Sequence, residues 1–208
     1  MVSAPIRLLL ADDQAMVRGA LAALLSLEPD LEVVAQVGRG DEVAAAVAAH
    51  APDVCLLDIE MPGLDGIEAC RQVARSPRRS AGPRVLVVTT FGRPGYLRRA
   101  LEAGADGFVV KDTPADALAE AVRRVHAGLR VVDPTLATAS LLDGASPLTE
   151  READVLRLAL GGAPVATIAA DLHLSGGTVR NHLSAAIGKT GTTTRVEAAR
   201  VARDRGWI

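Results

Sequence analysis

Short apolar runs alternate with amphipathic stretches from the N-terminus as far as His126. The runs are Ile6 to Ala11, Leu31 to Val37, Val54 to Leu57, Val85 to Val88 and Gly107 to Val110. Each is short and rich in branched or other apolar residues, which predicts a strand. Between the first two, Val17, Ala20, Leu21, Leu24 and Leu25 fall at i, i+3, i+4, i+7 and i+8, the spacing of a helix laid on a sheet. Leu118, Ala121, Val122 and Val125 mark the last helix, which Thr113 caps and Pro114 opens as first helical residue. Five strands alternating with five helices predict an open, doubly wound α/β domain over residues 1–126.

The pattern then changes. Residues 127–146, punctuated by Gly128, Pro134 and Gly144, read as a linker with one short helical stretch, Leu136 to Leu142. Residues 147–208 hold four helical patterns and no strand pattern, so an all-α domain is expected there. Thr149 with Glu152, and Thr194 with Glu197, have the spacing of capping boxes.

Composition agrees with two small domains: 208 residues, 49% of them hydrophobic, are enough for two cores. No basic, apolar and small-residue segments combine as a leader near the N-terminus, and no run nears the ~18 apolar residues of a membrane span. A cytoplasmic protein without membrane insertion is expected. Cys55 and Cys70 are too few for a disulfide framework or zinc site and read as core residues. The net charge of −2 hides an asymmetry: residues 1–126 carry 14 basic and 17 acidic side chains, residues 147–208 carry 8 and 6. Nucleic-acid binding must therefore rest on where individual arginines sit. Only two of the 23 basic residues, Lys111 and Lys189, are lysine.

In a doubly wound sheet, ligands bind beyond the carboxyl ends of the strands. The residues at those ends are Asp12 and Asp13, Asp58, Thr89 and Lys111. Three carboxylates brought together repel one another and call for a hard divalent cation, for which Mg²⁺ held by carboxylates and water is suited. Such a rim favours phosphoryl transfer, where catalysis is largely placement and charge neutralisation. Asp58, ionised at neutral pH, would be the nucleophile. Lys111 and the Thr89 hydroxyl would engage the product's oxygens.

The segments "LLADDQ", "CLLDIEMPGLDG", "VLVVTTF" and "GFVVKD" resemble, in order and spacing, the receiver domain of two-component response regulators. The resemblance implies a flavodoxin-like (CheY-like) fold with a five-stranded parallel sheet. It also implies that Asp58 is the phosphoacceptor, that Asp12, Asp13 and the backbone carbonyl of Glu60 help hold Mg²⁺, and that Thr89 and Lys111 contact the phosphoryl group. Phe108 matches the aromatic that follows the threonine in the switch. Asp112 stands where many receivers have proline.

The C-terminal segment "LTEREADVLRLALGGAPVATIAADLHLSGGTVRNHLSAAIGKTGTTTR" resembles the LuxR-type helix-turn-helix, and the combination is that of the NarL/FixJ subfamily. Val179, Leu183, Ala186 and Ile187 make a buried face on the third helix, which leaves Arg180, Asn181 and Ser184 outward and able to reach bases. Thr178, Lys189 and Arg195 are expected at the DNA backbone. Ser184 occupies a position often basic in the family, and Thr192 to Thr194 lack a common arginine, so each monomer should attract phosphates weakly. "TTFGRPGY", "TVRN" and "RDRGW" look most like the DesR-type branch.

The resemblance thus implies a transcription factor that is switched by a sensor histidine kinase and pairs as a homodimer on double-stranded DNA when phosphorylated. RNA polymerase is a further expected partner. Its only catalysis would be its own phosphoryl transfer and slow dephosphorylation. An aspartyl phosphatase is the competing class, but residue 60 is Glu where the haloacid-dehalogenase motif needs a second Asp. A constitutive regulator with the receiver as a scaffold is a third.

Overall fold

A computed structural model of the chain describes residues 4–75, 82–90, 94–134, 136–138 and 146–208. The chain divides into two compact units, residues 1–92 with 97–137 and residues 93–96 with 138–208. In the first, β1 (Ile6–Ala11), β2 (Leu31–Val37), β3 (Val54–Leu57), β4 (Arg84–Thr89), β5 (Gly107–Val110) and β6 (Val131–Val132) form one sheet in the order β2-β1-β3-β4-β5-β6. Every pairing is parallel. The helices α1 (Ala15–Leu25), α2 (Val43–His50), α3 (Gly66–Arg75), α4 (Pro94–Ala103) and α5 (Ala115–His126) link successive strands. This is the flavodoxin-like order, with an added edge.

The sixth strand corrects the five-stranded expectation. Val131 and Val132 pair with Gly107 and Phe108 of β5, inside the stretch read as linker. Two residues are too few for any periodic signal, so only the free edge of β5 reveals them. The five longer strands were legible because parallel strands covered on both faces are nearly continuous apolar runs. One face carries Leu8, Leu10, Val54, Leu56, Leu86 and Val88, packed with Leu25 of α1 and Leu118, Val122 and Val125 of α5. On the alternate positions Leu9, Cys55, Leu57, Val85, Val87 and Phe108 are buried too. Cys55 and Cys70 are both buried and free, and burial pushes the Cys55 thiol up.

Two local expectations shift. In α1 the buried positions are Ala22 and Leu25, flanked by half-buried Val17, Arg18 and Leu21, while Ala20 and Leu24 face solvent. The helix is apolar except for Arg18, so its sequence does not choose a face. In α5 the first helical residue is Ala115, and Pro114 is the cap, without a side-chain bond from Thr113. No cis peptide occurs among the described residues.

The second unit holds α6 (Glu150–Leu160), α7 (Val165–Asp171), α8 (Gly176–Thr190) and α9 (Arg195–Asp204). Val155, Leu156, Ile168, Val179, Ala186, Ala198 and Ala202 are its fully buried core, closed by Trp207 and Ile208. Ala198 and Ala202 pack inside the unit, so they offer no surface to a second chain. Thr149 and Glu152 complete a reciprocal capping box. At α9 only half of one forms: Thr194 accepts from the Glu197 N–H, but the Glu197 carboxylate turns to the N–H and hydroxyl of Thr193. Residues 136–138 are helical, and 139–142 of the expected stretch lie outside the described residues.

His173, in the turn between α7 and α8, has φ of 54°. A side chain there crowds its own backbone, a strain glycine lacks. His173→Gly should stabilise the helical unit by about 0.5 kcal/mol. The urea midpoint followed by Trp207 fluorescence measures it.

Candidate functional site

Strand register builds the rim. Ala11 pairs with Leu57, so Asp12 and Asp58 leave adjacent strands side by side, and the Asp58 N–H donates to the Ala11 carbonyl at 2.8 Å. Thr89 pairs with Val110, and the Lys111 N–H donates to the Thr89 carbonyl, also at 2.8 Å. Asp12, Asp58 and Thr89 are buried, whereas Asp13 and Glu60 are exposed. The loop after Asp58 folds back so tightly that a Cβ on Gly66 would stand 1.8 Å from the Asp58 carbonyl oxygen. Only glycine fits there, and this close return seats Asp58 while keeping its carboxylate at the strand end.

The charges meet at one ammonium. Lys111 Nζ lies 2.7 Å from Asp12 Oδ2 and 3.1 Å from Asp58 Oδ2. The second Asp58 oxygen accepts from the Ile59 N–H at 2.8 Å, and Asp12 Oδ1 accepts from the Gln14 N–H at 2.9 Å. Burial raises the Asp58 carboxyl above its ordinary value, against the pull of Lys111. Burial works to lower Lys111, but Asp12 and Asp58 together outweigh it and hold the ammonium charged. Asp12, Asp13 and Asp58 each bring a carboxylate oxygen within 4.8 Å of the others, a donor set that fits a hard divalent cation. Phe108 is fully buried in β5, in register with Val87.

In the helical unit, Ser175 caps α8 by accepting from the Thr178 N–H at 3.1 Å, and the two hydroxyls lie 2.8 Å apart. Arg180, Asn181 and Ser184 are exposed on that helix, opposite buried Val179, Leu183 and Ala186, with Ile187 half-buried. Arg195 Nη1 donates to the Ala163 carbonyl at 3.2 Å. Lys189, expected at a phosphate, has an internal partner: its ammonium sits 2.7 and 2.9 Å from the two oxygens of buried Glu152. Burial tends to raise Glu152, but Lys189 and the Thr149 N–H prevail and hold it below the usual carboxylate range. The capping-box spacing points to Glu152 only as a cap. Its second partner, 37 residues away, leaves no periodic trace.

Comparison with known proteins decides the family. Residues 8–123 match the response regulator receiver domain, and residues 146–202 match the luxR family of bacterial regulatory proteins. The chain is a LuxR-type two-component response regulator. It is 43% identical over 203 residues to the uncharacterized transcriptional regulatory protein YvfU of Bacillus subtilis (strain 168), covering 98% of this chain and 100% of that one. To the transcriptional regulatory protein DesR of the same organism it is 41% identical over 203 residues, covering 98% and 99%. Among solved structures it is similar to the response regulator ChrA of a heme-sensing two-component system, with TM-score 0.57, 34% identity and coverage of 98% and 99%. The response regulator therefore belongs with the NarL-type transcriptional regulators, near the DesR branch. No described helix is long and apolar enough to cross a membrane.

Both ion-pair centres make stability depend on pH. Asp58 has a raised folded-state value, so its contribution to folding is whole below 3.8 and lost as pH climbs through that raised value. Asp58→Asn should therefore stabilise the protein at pH 7, with the gain fading as pH falls toward 4, in urea titrations at both pH values. Glu152 is the opposite case, stabilising above 4.5 and losing that contribution as pH falls through its lowered value. Lys189→Met should lower the helical unit's stability by about 1–2 kcal/mol at pH 7, and by less under acid, read by Trp207 fluorescence.

Proposed function

We propose that this response regulator is switched by phosphorylation of Asp58 from a sensor histidine kinase, and that the phosphorylated form pairs as a homodimer on double-stranded promoter DNA. The observation that carries the reading is the rim itself: three carboxylates and a lysine ammonium gathered from the ends of three strands. On this reading residues 1–126 are the receiver, 127–146 the linker and 147–208 the DNA-binding domain. Since its ligand would be the chromosome, it works in the cytoplasm, with RNA polymerase as a further partner.

Asp12, Asp13, Asp58 and the Glu60 carbonyl would hold Mg²⁺. Bound there, the cation neutralises charge on the phosphoryl oxygens. A carboxylate oxygen of Asp58 attacks the phosphorus of a phosphohistidine, the P–N bond breaks, and the imidazole nitrogen leaves with the electron pair and is protonated from solvent. No general base is required, because the nucleophile is already an anion. The new group adds about −1.5 to −2 charge at neutral pH. Lys111, which bridges Asp12 and Asp58 beforehand, turns to the phosphoryl oxygens, and Thr89 donates its hydroxyl to another. Phe108 packs into the space Thr89 vacates. The chain catalyses this transfer and its slow hydrolysis on itself alone, and is no enzyme toward other substrates.

At the operator, Arg180, Asn181 and Ser184 would meet base edges, with Thr178, Lys189 and Arg195 at the backbone. Few cations reach the phosphates, so two linked half-sites are needed for firm binding.

Beryllofluoride with Mg²⁺ should raise both the molecular mass and the affinity for operator DNA, measured by light scattering and fluorescence anisotropy. Asp58→Ala should abolish both responses, and affinity indifferent to both treatments rejects the switch. Arg180→Ala should weaken specific binding by about 1–3 kcal/mol and relax base preference at one position per half-site.

A further inference from the structure

One half-buried cation beside the rim, Arg18 of α1, has no part in the reading above. Its guanidinium donates through Nη1 to the backbone carbonyl of Asp12. It also lies over Gly38, just after β2, where a Cβ would stand 3.4 Å from Nη1. No carboxylate lies within ion-pair distance of it among the described residues, although an acidic cluster is close by. Asp12 is thereby held at four points: its N–H by the Val37 carbonyl at 3.1 Å, its carbonyl by Arg18, and its carboxylate by Gln14 and Lys111. Asp13 differs. Its exposed carboxylate has no hydrogen-bond or ion-pair partner among the described residues, so only the backbone can aim it.

The carbonyl gripped by Arg18 lies in the rigid plane of the Asp12–Asp13 peptide, so fixing that oxygen fixes where the Asp13 Cα starts. We propose that Arg18 is a positioning residue of the cation site, which orients Asp13 by clamping the Asp12 carbonyl between the first turns of α1 and the end of β2. The proposal rests on the Mg²⁺ reading of the preceding subsection. Charge alone would have the opposite effect: a nearby guanidinium repels a divalent cation, so its removal would tighten binding. Weakened binding on removal therefore marks positioning.

The test uses the full unphosphorylated chain and MgCl₂, with affinity read by calorimetry and by the amide shift of Asp13. Arg18→Met, which keeps the apolar stem without the donors, should raise the Kd for Mg²⁺ about tenfold. Arg18→Lys, which keeps the charge and a single donor nitrogen, should fall between it and the parent. Phosphorylation of Arg18→Met by acetyl phosphate should be slow at limiting Mg²⁺ and recover at saturation. Gly38→Val, which crowds the guanidinium from the other side, should show the same weakening and carries the test if Arg18→Met does not fold. Unchanged or tighter Mg²⁺ binding in these variants overturns the proposal, as does a rate deficit that saturating Mg²⁺ does not restore. A parent chain that binds no Mg²⁺ overturns the underlying reading and this one with it.

Discussion

Like charges gathered at the ends of neighbouring strands repel, and the first unit is arranged around tolerating that repulsion. Asp12 and Asp58 are both buried, adjacent and acidic. The buried charge on Asp58 calls for compensation. Lys111 supplies it by contacting both, and it can do so because β5 ends beside β4 at the register that brings Lys111 next to Thr89. The Lys111 ammonium is the one cation in ion-pair contact with these carboxylates among the described residues, against three acidic groups. The resulting donor set fits a hard divalent cation.

Much of this was legible because of how parallel sheets are built. Strands covered on both faces read as unbroken apolar stretches, so the residue that ends each stretch is also the residue at the rim. Asp12, Asp58, Thr89 and Lys111 could be placed together from that fact alone. The face of α1 could not, because a helix of alanine, leucine and valine satisfies several orientations and only packing against β2 and α5 selects one. Nor could the cap of α5, where one residue decides whether proline lies inside or outside the helix.

The helical unit shows the same limit in its polar contacts. Periodicity separated Val179, Leu183 and Ala186 from Arg180, Asn181 and Ser184, which is all a DNA-facing helix needs. It said nothing of Glu152 and Lys189, whose pairing joins the start of α6 to the end of α8. A lysine that looked available to solvent ligands also ties the end of α8 to the start of α6. Arg18 was missed for a related reason: its partner is a main-chain oxygen, and no residue type announces one.

The two-residue strand β6 has a bearing on solubility. A long unpaired strand at the side of a sheet is a template on which other chains can polymerise. By covering β5 with a segment of only Val131 and Val132, followed at once by Asp133 and Pro134, the chain ends that side in a stub. An intruding strand would find too few free amides there to start a fibril.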